Sequence, residues 1–143
     1  MREHSTDVFL GLSLDKKWLK KRLIRKYRKQ RAKHGFSDYD CFDLGDYLLN
    51  LIPAALERLA SFKNSYPVCL WMYETQEEKH DVTFDEYQAE LHKVASELRR
   101  ADRLLEHLGS GDIKEWEAEE QEGMRLILRC FEWIGHNIAT LWD

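Results

Sequence analysis

From Phe84 to Leu108 apolar side chains return every three or four residues, at Phe84, Tyr87, Leu91, Val94, Leu98, Ala101, Leu105 and Leu108. That spacing lays one continuous stripe along an α-helix and cannot be met by a strand, whose faces alternate at every residue. Thr83 and Glu86 stand at capping-box spacing just before the stripe, and Gly109, Ser110 and Gly111 follow it, so a helix is expected over 83–108. A stripe of this length has to be covered by other helices, which points to an all-α fold.

Partner helices can be read on both sides. Leu44, Tyr47, Leu48, Leu51, Ile52, Ala55, Leu56 and Leu59 form the expected inner side of a helix over 43–62, with Pro53 expected to bend it. Asp112 and Glu115 repeat the capping-box spacing ahead of a last helix over 113–141. Between Met124 and Trp142 that helix is apolar except for a narrow strip of Arg125, Arg129, Glu132, His136 and Thr140, with Asn137 apart from it. Burial on most sides is expected there, by neighbouring helices or by a second copy of the chain. Residues 63–82 carry the irregular signals Asn64, Ser65 and Pro67, then the apolar patch Leu70 to Tyr73 and a polar run to Asp81, and read as a loop with an anchored middle. The expectation is one domain over 1–143, a compact bundle of about four helices. At 143 residues and 43% hydrophobic content the chain is long enough to bury a core.

The first helix, expected over 15–33, is of another kind. Eleven Lys and Arg and no acid lie between Lys16 and Lys33, half of the 22 basic residues in a chain of net charge -4. Residues 1–33 are therefore net +9 and the remainder net -13. Trp18, Leu19, Leu23, Ile24 and Tyr27 interrupt the cations at helical spacing, and His34 with Gly35 ends the run. A cationic amphipathic helix can dock on its own acidic body or a sister subunit, follow nucleic-acid phosphates, or lie on an anionic membrane. Its Lys16, Lys17, Trp18, Lys20, Lys21, Arg22, Arg25, Lys26, Arg28 and Lys29, together with an exposed Trp71, Met72 and Tyr73, are the candidate partner-binding residues.

Cys41, Cys69 and Cys130 are widely spaced and odd in number, which suggests neither a disulfide framework nor a zinc ribbon and fits reduced thiols in a cytoplasm. The apolar run Val8 to Leu14 is too short for a bilayer span, and charges within the last helix argue against a span there. Chemistry is thinly signalled. Asp38, Asp40, Asp43 and Asp46 lack the calcium-loop spacing and read as helix-start caps, with Ser37 or Asp38 the capping residue of the turn. The acids Glu74, Glu77 and Glu78 and the group Glu117 to Glu122 resemble the magnesium-binding carboxylates of helical nucleotide pyrophosphohydrolases, but read as solvated faces. None of His92, His107 or His136 has a Glu three residues before it, as a di-iron bundle requires, and no phosphate loop or nucleophile motif occurs. No catalytic residue, metal or cofactor is expected. Arg125, Arg129, Glu132 and His136 are the one candidate pocket; Glu132 and His136, four residues apart, would form an acid/base pair if that strip lines a pocket, but read first as a solvent-exposed pair or one hydrogen-bonded at an interface.

The segment from Gly35 to Pro53 (GFSDYDCFDLGDYLLNLIP), the step Tyr66-Pro67, the helix start Phe84 to Tyr87 and the ending from Phe131 to Leu141-Trp142-Asp143 resemble a group of small proteins encoded by bacteriophages and prophages. The likeness runs in order over residues 20–143, with Phe42 where Trp is more usual and Val68 where Gly often follows the Tyr-Pro step. It implies a cytoplasmic protein acting inside an infected bacterial cell and carries over no catalytic residue. The leading expectation is thus a non-enzymatic accessory protein that binds and modulates a host target, in host takeover or anti-defence, and assembles as a homo-oligomer through the Met124 to Trp142 helix. The alternatives are a nucleic-acid-binding protein using helix 16–33, and a small-molecule or nucleotide binder or hydrolase using the polar strip of the last helix.

Overall fold

The computed structural model describes residues 20–62, 65–106 and 111–141. They are mostly helical: α1 (Lys21–His34), α2 (Asp38–Phe42), α3 (Leu44–Ala60), a hairpin of β1 (Cys69–Trp71) and β2 (Glu78–His80), α4 (Phe84–Glu106), α5 (Ile113–Asn137) and a 3-10 turn Ile138–Thr140. Four of the five described α-helices are long, as the periodicities require. The chain divides after Ala54, inside α3, into two compact units.

In the first unit α1 ends at Gly35, whose φ of 82° is the left-handed conformation that suits glycine, and its N–H donates to Arg31 O. Ser37 caps α2 through a capping box with Asp40. Tyr27 is buried against Ile24 and Tyr39, and Tyr47 with Ala54 packs on Leu51. The expected inner side of α3 is only partly inward. Tyr47 and Leu56 are buried, but Leu44 and Ala55 are exposed, while Pro53, Ala54 and Ala60 are buried instead.

In the second unit α4 and α5 pack on each other. Tyr87, Leu91, Val94, Leu98 and Ala101 of the α4 stripe are buried, as its spacing predicts, and Thr83 exchanges the expected pair of capping bonds with Glu86. α5 faces inward with Gly123, Leu126, Cys130, Trp133 and Asn137, again at three- and four-residue steps. A Cβ on Gly123 would meet Leu105 at 3.2 Å and Ala101 O at 3.5 Å, so its missing side chain sets how closely the two helices approach. One expectation needs correction: Asp112 is the N-cap of α5 but makes no side-chain capping bond. Among the described residues Met124, Leu128, Phe131 and Ile138 are exposed along the outer side, so neighbouring helices of the same chain do not supply the burial expected there.

Residues 65–82 are more ordered than a loop. β1 and β2 pair antiparallel with Cys69 opposite His80, Leu70 opposite Lys79 and Trp71 opposite Glu78. Gln76 sits in the turn at φ 58°; its backbone N–H donates to Met72 O at 3.1 Å and its side-chain Nε2 to Tyr73 O at 2.9 Å, and these bonds hold that left-handed geometry.

Candidate functional site

α1 has an anchored side and an open side. On the anchored side Arg31 is buried and forks onto Asp40, Nε to Oδ2 at 3.0 Å and Nη2 to Oδ1 at 2.5 Å, with both side chains no more than 3% exposed. Asp40 Oδ2 also accepts from Ser37 N at 2.7 Å and Ser37 Oγ at 2.8 Å. Burial pushes the Asp40 carboxyl up, but the bonds from Arg31 and Ser37 outweigh it and hold the group below the usual carboxylate range. Lys26 pairs with Asp38 at 2.8 Å, and Gln30 exchanges two bonds with the same residue. The four aspartates expected as caps thus divide their work: Asp38 and Asp40 hold α1, and Asp43 accepts from Asp46 N.

The open side carries Arg22, Arg25, Lys29 and Lys33, all exposed and none in an ion pair among the described residues. With Lys26, Gln30 and His34 they line an open groove of about 640 Å³. Lys20 and Lys21 are exposed as well, whereas Arg28 is half-buried and has a partner. Lys16, Lys17 and Trp18 lie outside the described residues. The expected apolar stripe of this helix is shorter than its spacing suggested. Ile24 and Tyr27 face in, Leu23 is 37% exposed, and the next inward position is the charged Arg31.

The other expected contact surface is turned inward. Leu70 and Tyr73 are buried, and Trp71 and Met72 are half-buried. The outer edge of β1, which a third strand would otherwise satisfy, is closed by side chains from two helices. Asn137 accepts from Trp71 N at 2.9 Å and donates to Trp71 O at 3.0 Å. Glu90 accepts from Tyr73 N at 2.8 Å and from Trp133 Nε1 at 3.1 Å. Arg129 donates to Tyr73 O at 2.8 Å and to Glu74 O at 3.2 Å, its guanidinium 4.5 Å from the Tyr73 ring centre. An unpaired buried backbone group costs as much as a lost hydrogen bond, and these three residues remove that cost. Burial raises the Glu90 carboxyl above its ordinary value despite the bonds from Tyr73 and Trp133.

This network also disperses the candidate pocket. Arg129 serves the hairpin, Arg125 forks onto Glu122 at 2.8 Å, and His136 stacks on the Trp71 ring with centroids 3.9 Å apart. Glu132 is exposed, and among the described residues no bond joins it to His136. The four share a helix face without converging on a common point.

One cluster escaped the sequence reading. Cys69 Sγ lies 2.8 Å from His80 Nδ1, and His80 Nε2 lies 3.2 Å from Glu78 Oε1. Eleven residues separate Cys69 from His80, so only the strand register brings them together. The alternation Glu78-x-His80 was the available signal, and it carries meaning only once β2 is recognised as a strand. Cys41 is exposed, and Cys130 is buried, its thiol pushed up to about 11 chiefly by that burial. Among the described residues no helix is long and apolar enough to cross a membrane.

Comparison with known proteins returns no relative: no family model, curated protein or solved structure matches the chain.

Proposed function

We propose that this chain is a non-enzymatic, phage-encoded accessory protein that docks on a host target through the open side of α1. The observation carrying the docking surface is the row Arg22, Arg25, Lys29 and Lys33, exposed beside a groove and unmatched by any acid among the described residues, on a helix locked by the buried Arg31–Asp40 pair. Holding the helix from behind limits the ordering cost of binding in front, and arginine is among the residues that dominate interface energies. The matching target is an acidic surface, met in the host cytoplasm during takeover or against a defence system. Phage origin and host setting rest on the motif order from Gly35 to Asp143. Self-association through the outer side of α5 belongs to the same reading, because Met124, Leu128, Phe131 and Ile138 form an exposed apolar seam.

Nucleic acid is the second reading. Cations repeated along one helix side beside an open groove suit phosphates as well as carboxylates. The triple change Arg22/Arg25/Lys29→Glu separates the two. It spares Lys26, which is tied to Asp38, and Arg31, which is buried. Affinity capture from the bacterial host lysate, with and without nuclease, should recover a protein that persists after nuclease and disappears with the triple variant, while far-UV circular dichroism stays unchanged. Capture that nuclease abolishes, with affinity falling linearly in log salt, would establish nucleic acid instead. Retention of the same partner by the folded triple variant would eliminate α1 as the docking surface.

A further inference from the structure

Outside the cationic helix, the hairpin is where metal-ligating side chains converge. Cys69, Glu78 and His80 each offer a ligand atom, and these atoms all lie within 4.8 Å of one another. Their placement follows from strand geometry. Cys69 and His80 are cross-strand partners, so their side chains leave the sheet on one face, and Glu78, two residues before His80, leaves β2 on that face too. His80 and Glu78 are exposed and Cys69 is half-buried, so a solvated ion has direct access.

We propose that this hairpin face binds a zinc ion through Cys69 Sγ, one ring nitrogen of His80 and a carboxylate oxygen of Glu78, independently of the docking role of α1. The donor set decides the class of metal. Thiolate and imidazole suit zinc and disfavour calcium and magnesium, which take oxygen ligands. With zinc about 2.3 Å from sulfur and about 2.0–2.1 Å from nitrogen, a tetrahedral site needs the two ligand atoms about 3.5 Å apart. The present 2.8 Å contact therefore opens slightly, by side-chain rotation at positions with room to move. Binding replaces the Cys69–His80 hydrogen bond by two metal bonds. The thiol proton is released to solvent as Zn²⁺ takes the thiolate, so affinity rises with pH. Three protein ligands leave a fourth position to water or to an incoming donor, the open form of zinc site.

The other acidic cluster makes a useful contrast. Asp38 and Asp40 already accept from Lys26, Gln30, Arg31 and Ser37, which leaves them no comparable freedom to bind an ion.

The test is a titration of the chelator-stripped, reduced protein with Co²⁺, then Zn²⁺. One equivalent of Co²⁺ should produce a sulfur-to-cobalt charge-transfer band, and Zn²⁺ should displace it. Cys69→Ser should abolish the band and Cys41→Ser should leave it intact. His80→Ala should weaken binding at least about tenfold, with circular dichroism unchanged in each variant. Zn²⁺ should also shield one otherwise reactive thiol from Ellman's reagent. The absence of saturable binding, or a band that survives Cys69→Ser, would overturn the proposal. So would fast, His80-dependent alkylation of Cys69 that saturating Zn²⁺ leaves unslowed, since the trio would then be a thiol–imidazole–carboxylate relay and not a zinc site.

Discussion

Glu90 is the clearest case of one residue setting a property of the fold. Its carboxylate oxygen holds Tyr73 N and Trp133 Nε1 in the interior, and burial raises its pKa in the folded state. An acid whose folded pKa exceeds its unfolded value binds more protons when folded, so its contribution to stability falls as pH rises from about 4.5 towards that raised value. Glu90→Gln keeps an acceptor oxygen for both donors and removes the titration. Its melting temperature should therefore exceed that of the parent at neutral pH and change less between pH 4.5 and 7, as differential scanning calorimetry would record. Glu90→Ala should instead cost roughly 1–3 kcal/mol for each donor left unpaired. Asp40 works in the opposite sense. Its lowered folded pKa supplies stability that is present above about 3.8 and is lost on acidification below it. Removing its partner with Arg31→Ala should cost about 3–5 kcal/mol in urea unfolding at neutral pH, because a buried carboxylate is left without its counter-charge. Arg31, Glu90 and Asn137 were illegible as inward residues, since a pattern of apolar and polar positions assigns charged and amide side chains to the surface.

Among the elements, those that repeat at three and four residues were readable and those that depend on register were not. The α4 stripe and its Thr83–Glu86 box stand where the spacing placed them, and Gly35 closes α1 as expected. The hairpin gave no comparable sign. Cys69 to Tyr73 is an unbroken apolar run without alternation, and its turn uses Gln76 rather than glycine at positive φ. With the register unread, the nearness of Cys69, Glu78 and His80 stayed hidden, and Leu70 to Tyr73 looked like a surface patch. The cationic side of α1 was legible from composition alone, although which of its cations is consumed internally was not. Asn137 tests the edge closure. Asn137→Ala should destabilise the protein by roughly 2–4 kcal/mol, since both Trp71 backbone groups lose their partner, and amide exchange at Trp71 should quicken by a larger factor than at Leu91.

For the molecule as a whole, the two sides of α5 make different demands. Gly123, Leu126, Cys130 and Trp133 are used within the chain, while Met124, Leu128, Phe131 and Ile138 run along the outer side at four-, three- and seven-residue steps with nothing described above them. If that seam joins copies, Leu128→Glu with Phe131→Glu should shift the mass measured by sedimentation to that of a monomer and leave helicity intact. A monomeric parent at tens of micromolar would remove this part of the reading. The closed edge of β1 has a consequence for crowding. With Asn137, Glu90 and Arg129 occupying every hydrogen-bonding group that Trp71 and Tyr73 turn outward, no strand from a neighbour can register alongside, and β2 offers only the exposed polar Glu78, Lys79 and His80. Growth of fibrils from this hairpin is thereby blocked at the β1 border and disfavoured at β2 by its charged side chains, so at high concentration the native chain should cluster helix to helix.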